Sequence, residues 1–149
     1  MKGYSLDKIP EKSAMAQVKE TDISLKDAVN VAHFIRNMKL ETAKDTLDLV
    51  LEKKVAVPYF RYLDSVSHRK GIGPGRYPVK AIRAFKKLLD DVSANAEFKG
   101  LTEDLNIFHI SASKGRMIKK FTPKAYGRAG AFFKDLINLD VVVVENEKE

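Results

Sequence analysis

Apolar and polar positions change their spacing several times along the chain, and each change marks an element. The first dozen residues, with Asp7, Lys8, Pro10, Glu11 and Lys12, show no apolar period and read as an extended lead-in. Ala14 to Asp22 opens on the alternation Ala14-Met15-Ala16-Gln17-Val18-Lys19, which predicts a strand. From Leu25 the spacing lengthens. Leu25, Ala28, Val29, Ala32 and Ile35 fall on one face of a helix running to about Asn37, with Ser24 as its N-cap. In Ser24-Leu25-Lys26-Asp27 the hydroxyl and the carboxylate three residues on can each take up an orphan amide proton of the first turn. A second helix is predicted from about Leu40 to Lys54, with Ala43, Leu47, Val50 and Leu51 inward and Pro58 preventing continuation.

Residues 59–77 read as a long loop, because Gly71-Ile72-Gly73-Pro74-Gly75 suits neither a helix nor a central strand. Pro78 fits the first position of a third helix, whose Val79, Ile82, Phe85, Leu88 or Leu89, Val92 and Ala96 recur to about Phe98, with Gly100 as the stop. From Leu105 the period becomes 2, predicting a strand, and Leu139 to Val144 is a second, almost pure β-former. Between them, a hairpin turning near Thr122-Pro123-Lys124 would have arms of about ten residues, or roughly 30 Å. A bare ribbon of that length is marginal in water, so a partner outside the chain is needed to hold it.

Composition narrows the class. The 149 residues hold 44% hydrophobic and 32% charged side chains, enough for one domain with a buried core. No run approaches the roughly 20 apolar residues of a membrane span and no apolar signal region follows Met1, so a cytoplasmic protein, neither exported nor embedded, is expected. With no cysteine there is no disulfide, thiolate zinc site or Cys nucleophile. The net charge of +7 is a remainder. Residues 61–87 carry eight bases (Arg61, Arg69, Lys70, Arg76, Lys80, Arg83, Lys86 and Lys87) against Asp64 alone, and residues 113–134 carry seven with no acid. The rest of the chain is acidic.

Little in the sequence supports catalysis. The glycines at 71, 73 and 75 follow no predicted strand, and Pro74 removes an amide donor, so they do not form a nucleotide-binding fingerprint. A turn-rich loop is the simplest reading. The adjacent His68, Arg69, Lys70 and Arg76 favour a flexible backbone pressed against phosphate. His33, His68 and His109 are too scattered for a metal site, and partly buried structural histidines are expected at 33 and 109. Asp90-Asp91 and Glu103-Asp104 are adjacent pairs whose side chains diverge on a helix, so they read as solvated surface. The 113–134 segment is different. Its bases are interleaved with Phe121, Tyr126, Phe132 and Phe133, a pattern in which cations meet phosphates while rings stack on bases.

The run Ile118-Lys119-Lys120-Phe121-Thr122-Pro123-Lys124-Ala125-Tyr126-Gly127-Arg128-Ala129 resembles the hairpin-tip signature of the universal large-subunit ribosomal protein family numbered twenty-two in bacteria and seventeen in eukaryotes. Ile23-Ser24 with Lys26 and Ala28, then Ala94-Asn95-Ala96-Glu97, then the closing valine strand agree in order and spacing. The run Arg69 to Lys80 is similar to the archaeal form. The resemblance spans about Tyr4 to Glu145. It departs at Thr122 and at Lys124, where many members carry a basic residue and Arg; Lys keeps the charge but not the planar fork.

The resemblance implies an α+β fold, with three helices packed on a small three-stranded antiparallel sheet from which a long β-hairpin protrudes. The body would comprise residues 14–112 and 135–145, and the hairpin about 112–134. It implies a structural constituent of the large ribosomal subunit with no enzymatic activity and no cofactor. Its partners would be large-subunit rRNA, neighbouring ribosomal proteins and the nascent polypeptide, with no membrane and no small-molecule substrate. The expected rRNA-binding residues are Ser24, Lys26, Arg69, Lys70, Arg76, Lys80, Arg83, Lys86, Lys87, Lys114, Arg116, Lys119, Lys120, Lys124 and Arg128. The expected tunnel-lining tip is Phe121, Thr122, Pro123, Lys124, Ala125, Tyr126 and Gly127. The rival expectation is a stand-alone regulatory module binding RNA or DNA.

Overall fold

The structure is a computed structural model describing residues 6, 9–101 and 104–145. Its elements are β1 (Ser13–Thr21), α1 (Leu25–Ile35), α2 (Leu40–Leu51), β2 (Val57–Pro58), β3 (His68–Arg69), β4 (Gly73–Arg76), α3 (Val79–Phe98), β5 (Leu105–Pro123), a single 3-10 turn (Ala125–Gly127) and β6 (Ala129–Glu145). The main sheet is antiparallel in the order β1-β6-β5. With three helices on this sheet and a protruding hairpin, the α+β architecture is the expected one.

The central strand explains the valine run. Val141, Val142 and Val143 are all buried on this central strand: Val141 and Val143 face the helix-backed core, and Val142, on the other face, lies between Met15 of β1 and His109 of β5. One face of the sheet, with Ala14, Ala16, Leu139, Val141, Val143, Ile107 and Ile110, joins Phe85, Leu88, Leu89, Ile35 and Leu47 from the helices in one apolar core. Both edges of the sheet root are closed. Lys99 Nζ, from the C-cap of α3, and Asn95 Nδ2 of the helix donate to the Ser13 and Met15 carbonyls of β1 at 2.7 and 2.8 Å. On β5, the Ile107 carbonyl accepts from Asn37 N–H, Ile107 N–H donates to the Met38 carbonyl, and Arg36 Nη2 reaches the Ile110 carbonyl at 3.1 Å. Farther out no such cover exists among the described residues, which leaves the hairpin edges open for a partner.

Several expectations are corrected. The hairpin and the two flanking strands are the same two strands, and β5 runs unbroken for 19 residues to Pro123. Pro123 pairs with Ala129, so the turn lies at residues 124–128 instead of at Thr122-Pro123-Lys124. The 59–77 segment is not simply a loop. It folds, with β2, into a second small sheet of order β2-β4-β3, whose central strand is the glycine-rich Gly73–Arg76. The objection to a central strand fails because the paired stretches are so short. Pro74 offers its carbonyl to Tyr59 N–H at 2.9 Å, and the proton it lacks is never needed. Gly75 is required by proximity, since a Cβ there would stand 3.2 Å from the Val57 carbonyl oxygen. On α1, Val29 is half-buried whereas Asn30 and Val31 are fully buried. Leu51 and Val79, both read as inward, are likewise half-buried. Pro78 is the N-cap of α3 and not its first helical residue. Residues 1–5, 7, 8, 102, 103 and 146–149, which include much of the lead-in, Glu103 and most of the polar tail, lie outside the described residues.

A β-bulge marks where the hairpin leaves the body. Lys114 pairs with Ile137 and Met117 with Asp135, so Gly115 and Arg116 together oppose Leu136. Gly115 is pressed against the partner strand, and a Cβ would meet the Leu136 carbonyl and Asn138 Oδ1 at 3.0 Å. Beyond the bulge none of the three helices backs the ribbon, and its side chains are largely exposed. Backbone amides of residues 117–130 are therefore expected to exchange within seconds to minutes in the free protein while those of α3 and the β6 valines stay protected for hours; native-state hydrogen exchange checks this, and equal protection would contradict it.

Candidate nucleic-acid interface

The two basic segments, far apart in sequence, meet at one carboxylate. Asp22, just after β1, holds Lys80 of α3 at 2.8 Å and Lys134 of β6 at 2.7 Å. These two ammonium groups keep its carboxyl below the usual carboxylate range. The start of α3 thus lies against the hairpin root. Lys80, Arg83 and Lys87, spaced i, i+3, i+7, form an exposed stripe from there. Lys86 lies off that stripe and bonds Asp48 of α2, while Lys44 pairs with Asp90, so this part of α3 is stitched to α2.

Along the hairpin the acids stop early. Lys114 pairs with Asp135 at 2.9 Å and Arg116 approaches Glu20 at 3.6 Å, both at the root. Farther out, Lys119, Lys120, Lys124 and Arg128 are exposed and have no ion pair among the described residues. Exposed pairs contribute little, so the root bases remain available to a stronger anion. Cross-strand register sorts the side chains. Lys119 and Phe121 face with Phe133, while Ile118 and Lys120 face with Phe132 and Lys134. Phe121 and Phe133 meet edge to face at 5.9 Å, yet Phe121 and Phe132 are each more than 60% exposed. At the turn, Lys124 N–H donates to the Arg128 carbonyl at 2.7 Å, and Tyr126 stands fully exposed at φ 57°. Rings thus stand in water on both faces of a ribbon that carries no acid from Met117 to Phe133.

The 59–77 segment presents side chains and not a bare backbone cradle. Gly75 N–H is spent on the Ser67 carbonyl. Arg69 lies 5.4 Å from the Tyr77 ring centroid and Arg76 6.0 Å from that of Tyr59, with Arg76 Nη2 also reaching the Ser65 carbonyl. A ring beneath a guanidinium holds it in place, and of the two only Arg76 also spends a nitrogen on a carbonyl. Lys70 is exposed at the β3–β4 turn.

Ser24 caps α1, its Oγ accepting from Asp27 N–H at 3.4 Å. The Asp27 carboxylate does not join that cap as expected. It accepts from Tyr59 OH at 2.6 Å, and burial, reinforced by this carboxylate, pushes the phenol's pKa well above its ordinary value. His33 also departs from expectation, being exposed and packed at a tilt against Phe60, with ring centroids 4.0 Å apart. His109 is half-buried as expected, and burial followed by the Arg36 charge lowers its pKa. Among the described residues no group of His, Asp and Glu is placed to hold a metal ion.

Sequence reasoning missed Phe60, Arg61 and Tyr62 as surface features, Asp22 and Lys134 as the junction, and Asn30 as the internal brace of the loop. The charge windows already contained Arg61 and Lys134, and these were the available signals. The chain matches the family described as Ribosomal protein L22p/L17e over residues 16–144. It is 74% identical over the full length of both chains to a protein of Picrophilus torridus named Large ribosomal subunit protein uL22. The protein of the same name from Thermoplasma acidophilum is 64% identical over 99% of this chain and 98% of its own, and that of Sulfolobus acidocaldarius 42% over 95% and 96%.

Proposed function

Since the chain belongs to the ribosomal protein L22p/L17e family, we propose that it is a structural constituent of the large ribosomal subunit in the cytoplasm, binding large-subunit rRNA and catalysing nothing. The observation that carries this reading is the ribbon beyond Met117, exposed on both faces, free of acid to Phe133 and set with Lys119, Lys120, Lys124 and Arg128 among unpacked rings. The mechanism is neutralisation. Phosphates that would repel one another approach when cations lie between them, and the counterions released favour the complex.

The hairpin inserts between rRNA segments, and its tip, Phe121 to Gly127, lines the tunnel through which the nascent polypeptide leaves. The bases at the hairpin root join those of α3 and the small sheet in a second rRNA contact, which Lys114, Arg116, Lys80, Arg83, Lys87, Arg69, Lys70 and Arg76 make together. Lys86 is a weaker member because it is engaged with Asp48. The helical body faces the subunit surface and neighbouring ribosomal proteins. Sedimentation at moderate salt tests the reading: the protein is expected almost entirely in the large-subunit fraction. A mostly free pool would overturn it and favour a stand-alone RNA- or DNA-binding module.

A further inference from the structure

We infer that the turn after β2, residues 59–62, forms with α1 a stacking platform for unpaired RNA bases, separate from the hairpin. Phe60 and Tyr62, two residues apart on one short segment, are large rings left 43% and 45% exposed. His33 of α1 backs Phe60 with its centroid 4.0 Å away. A cation accompanies each ring: the Arg61 guanidinium is 5.9 Å from the Phe60 centroid and Lys26 Nζ 5.7 Å from that of Tyr62. Planar groups for bases and cations for the adjoining phosphates are what an unpaired strand requires. A neutral protein surface would have no use for the cations.

The loop is held in this presentation and does not adopt it by default. Tyr62 sits at φ 60°, a conformation that costs an aromatic residue energy and persists only where its surroundings impose it. The fully buried Asn30 imposes it, accepting from Phe60 N–H at 3.0 Å and Arg61 N–H at 3.2 Å while its Nδ2 donates to the Arg61 carbonyl at 3.1 Å. Tyr59 ties the segment to the same helix one turn earlier, through Asp27. The platform also opens the basic 61–87 segment, in which Asp64 is the one acid, so a strand stacked here continues toward Arg69 and Arg76.

This inference rests on the RNA-binding function proposed above, and the test separates the two. The full chain and its Phe60→Leu/Tyr62→Asn variant are titrated with a single-stranded oligouridylate of roughly eight nucleotides carrying 4-thiouridine. Leu keeps the apolar contact with His33 and Asn tolerates the left-handed backbone, so the fold is preserved while the π-faces go. The variant is expected to bind about tenfold more weakly with an unchanged salt slope, because stacking releases no counterions. Photocrosslinks in the unmodified protein are expected at Phe60 or Tyr62. Unchanged affinity, a fall in salt slope equal to a lost ionic contact, or crosslinks confined to residues 117–134 would each overturn the platform and leave the ribosomal reading standing. Failure of the unmodified protein to bind RNA or to sediment with the subunit would overturn both.

Discussion

Joining Ile118 to Lys134 through an Asn-Gly turn is expected to abolish stable incorporation into the large subunit while moving the thermal midpoint of the free protein by less than about 3 °C. The two residues are register partners, so a two-residue turn closes the shortened hairpin without a slip. What is removed, Lys119 to Phe133, is exposed throughout except for the half-exposed Gly130. It adds almost nothing to the core, and a change under about 1 kcal/mol shifts the midpoint of a domain this size by only a few degrees. For RNA the loss is large. Lys119, Lys120, Lys124 and Arg128 go together, and with about 0.7 to 0.9 in log–log salt slope per phosphate contact the slope falls by about 3. At moderate salt this corresponds to a drop in affinity on the order of a hundredfold. A companion variant with the same four residues changed to Gln retains the ribbon and isolates charge from shape. Sucrose-gradient sedimentation and calorimetry of the free protein are the two measurements. Full incorporation of the shortened chain would show that the body alone carries binding.

The elements that were legible in the sequence are those whose burial is periodic. α3 repeats its apolar residues for 20 positions, and both members of the Leu88-Leu89 ambiguity prove buried because the helix packs against the sheet on one side and α2 on the other. The valine run read as a strand because nothing else accommodates four β-branched residues as well. The turn of the hairpin was displaced because Pro123 looks like a turn residue. In the structure it ends a strand and pairs with Ala129, while the reversal falls on Tyr126 and Gly127 at φ 57° and 67°, of which only the glycine is a customary turn residue. The small sheet was illegible for a related reason. Two-residue strands have no period, and β4 is held by particular hydrogen bonds between residues as distant as Tyr59 and Pro74. The basic ribbon was visible as charge arithmetic. The union of the two basic segments at Asp22 was not, because it depends on where the end of β1, the start of α3 and β6 meet in space. Polar residues that organise backbone are the hardest to see. Asn30 lies among apolar neighbours and looks like a surface position of α1 until the loop it binds is known.

That residue sets the second large expectation. Asn30→Leu is expected to destabilise the protein by about 3 kcal/mol and lower its midpoint by about 10 °C. Leucine keeps the branch point of asparagine and is somewhat larger, so no cavity enters the comparison and any overpacking adds to the loss. What is lost is four hydrogen bonds: from Nδ2 to the Lys26 and Arg61 carbonyls, and to Oδ1 from the Phe60 and Arg61 amides. The Lys26 carbonyl can fall back on its helical partner. The Phe60 and Arg61 groups have no such alternative among the described residues, and leaving them unpaired against an apolar side chain costs about 1 to 3 kcal/mol each. The chain limits that cost by lifting the loop so that water reaches it, which caps the total near the energy of undocking residues 59–62. The signature is therefore local. Amide exchange at Phe60 and Arg61 accelerates by a factor on the order of a hundred, more than in α3 and β6, and the gain from stacking single-stranded RNA on Phe60 and Tyr62 disappears with the loop's geometry. Asn30→Asp distinguishes the bonds: it keeps an acceptor for both amides, loses the Nδ2 donor and buries a charge, so it too destabilises but holds the Phe60 amide better than leucine does. If Asn30→Leu leaves the Phe60 amide as protected as before, the brace lies elsewhere and the loop is held by the Tyr59–Asp27 bond alone.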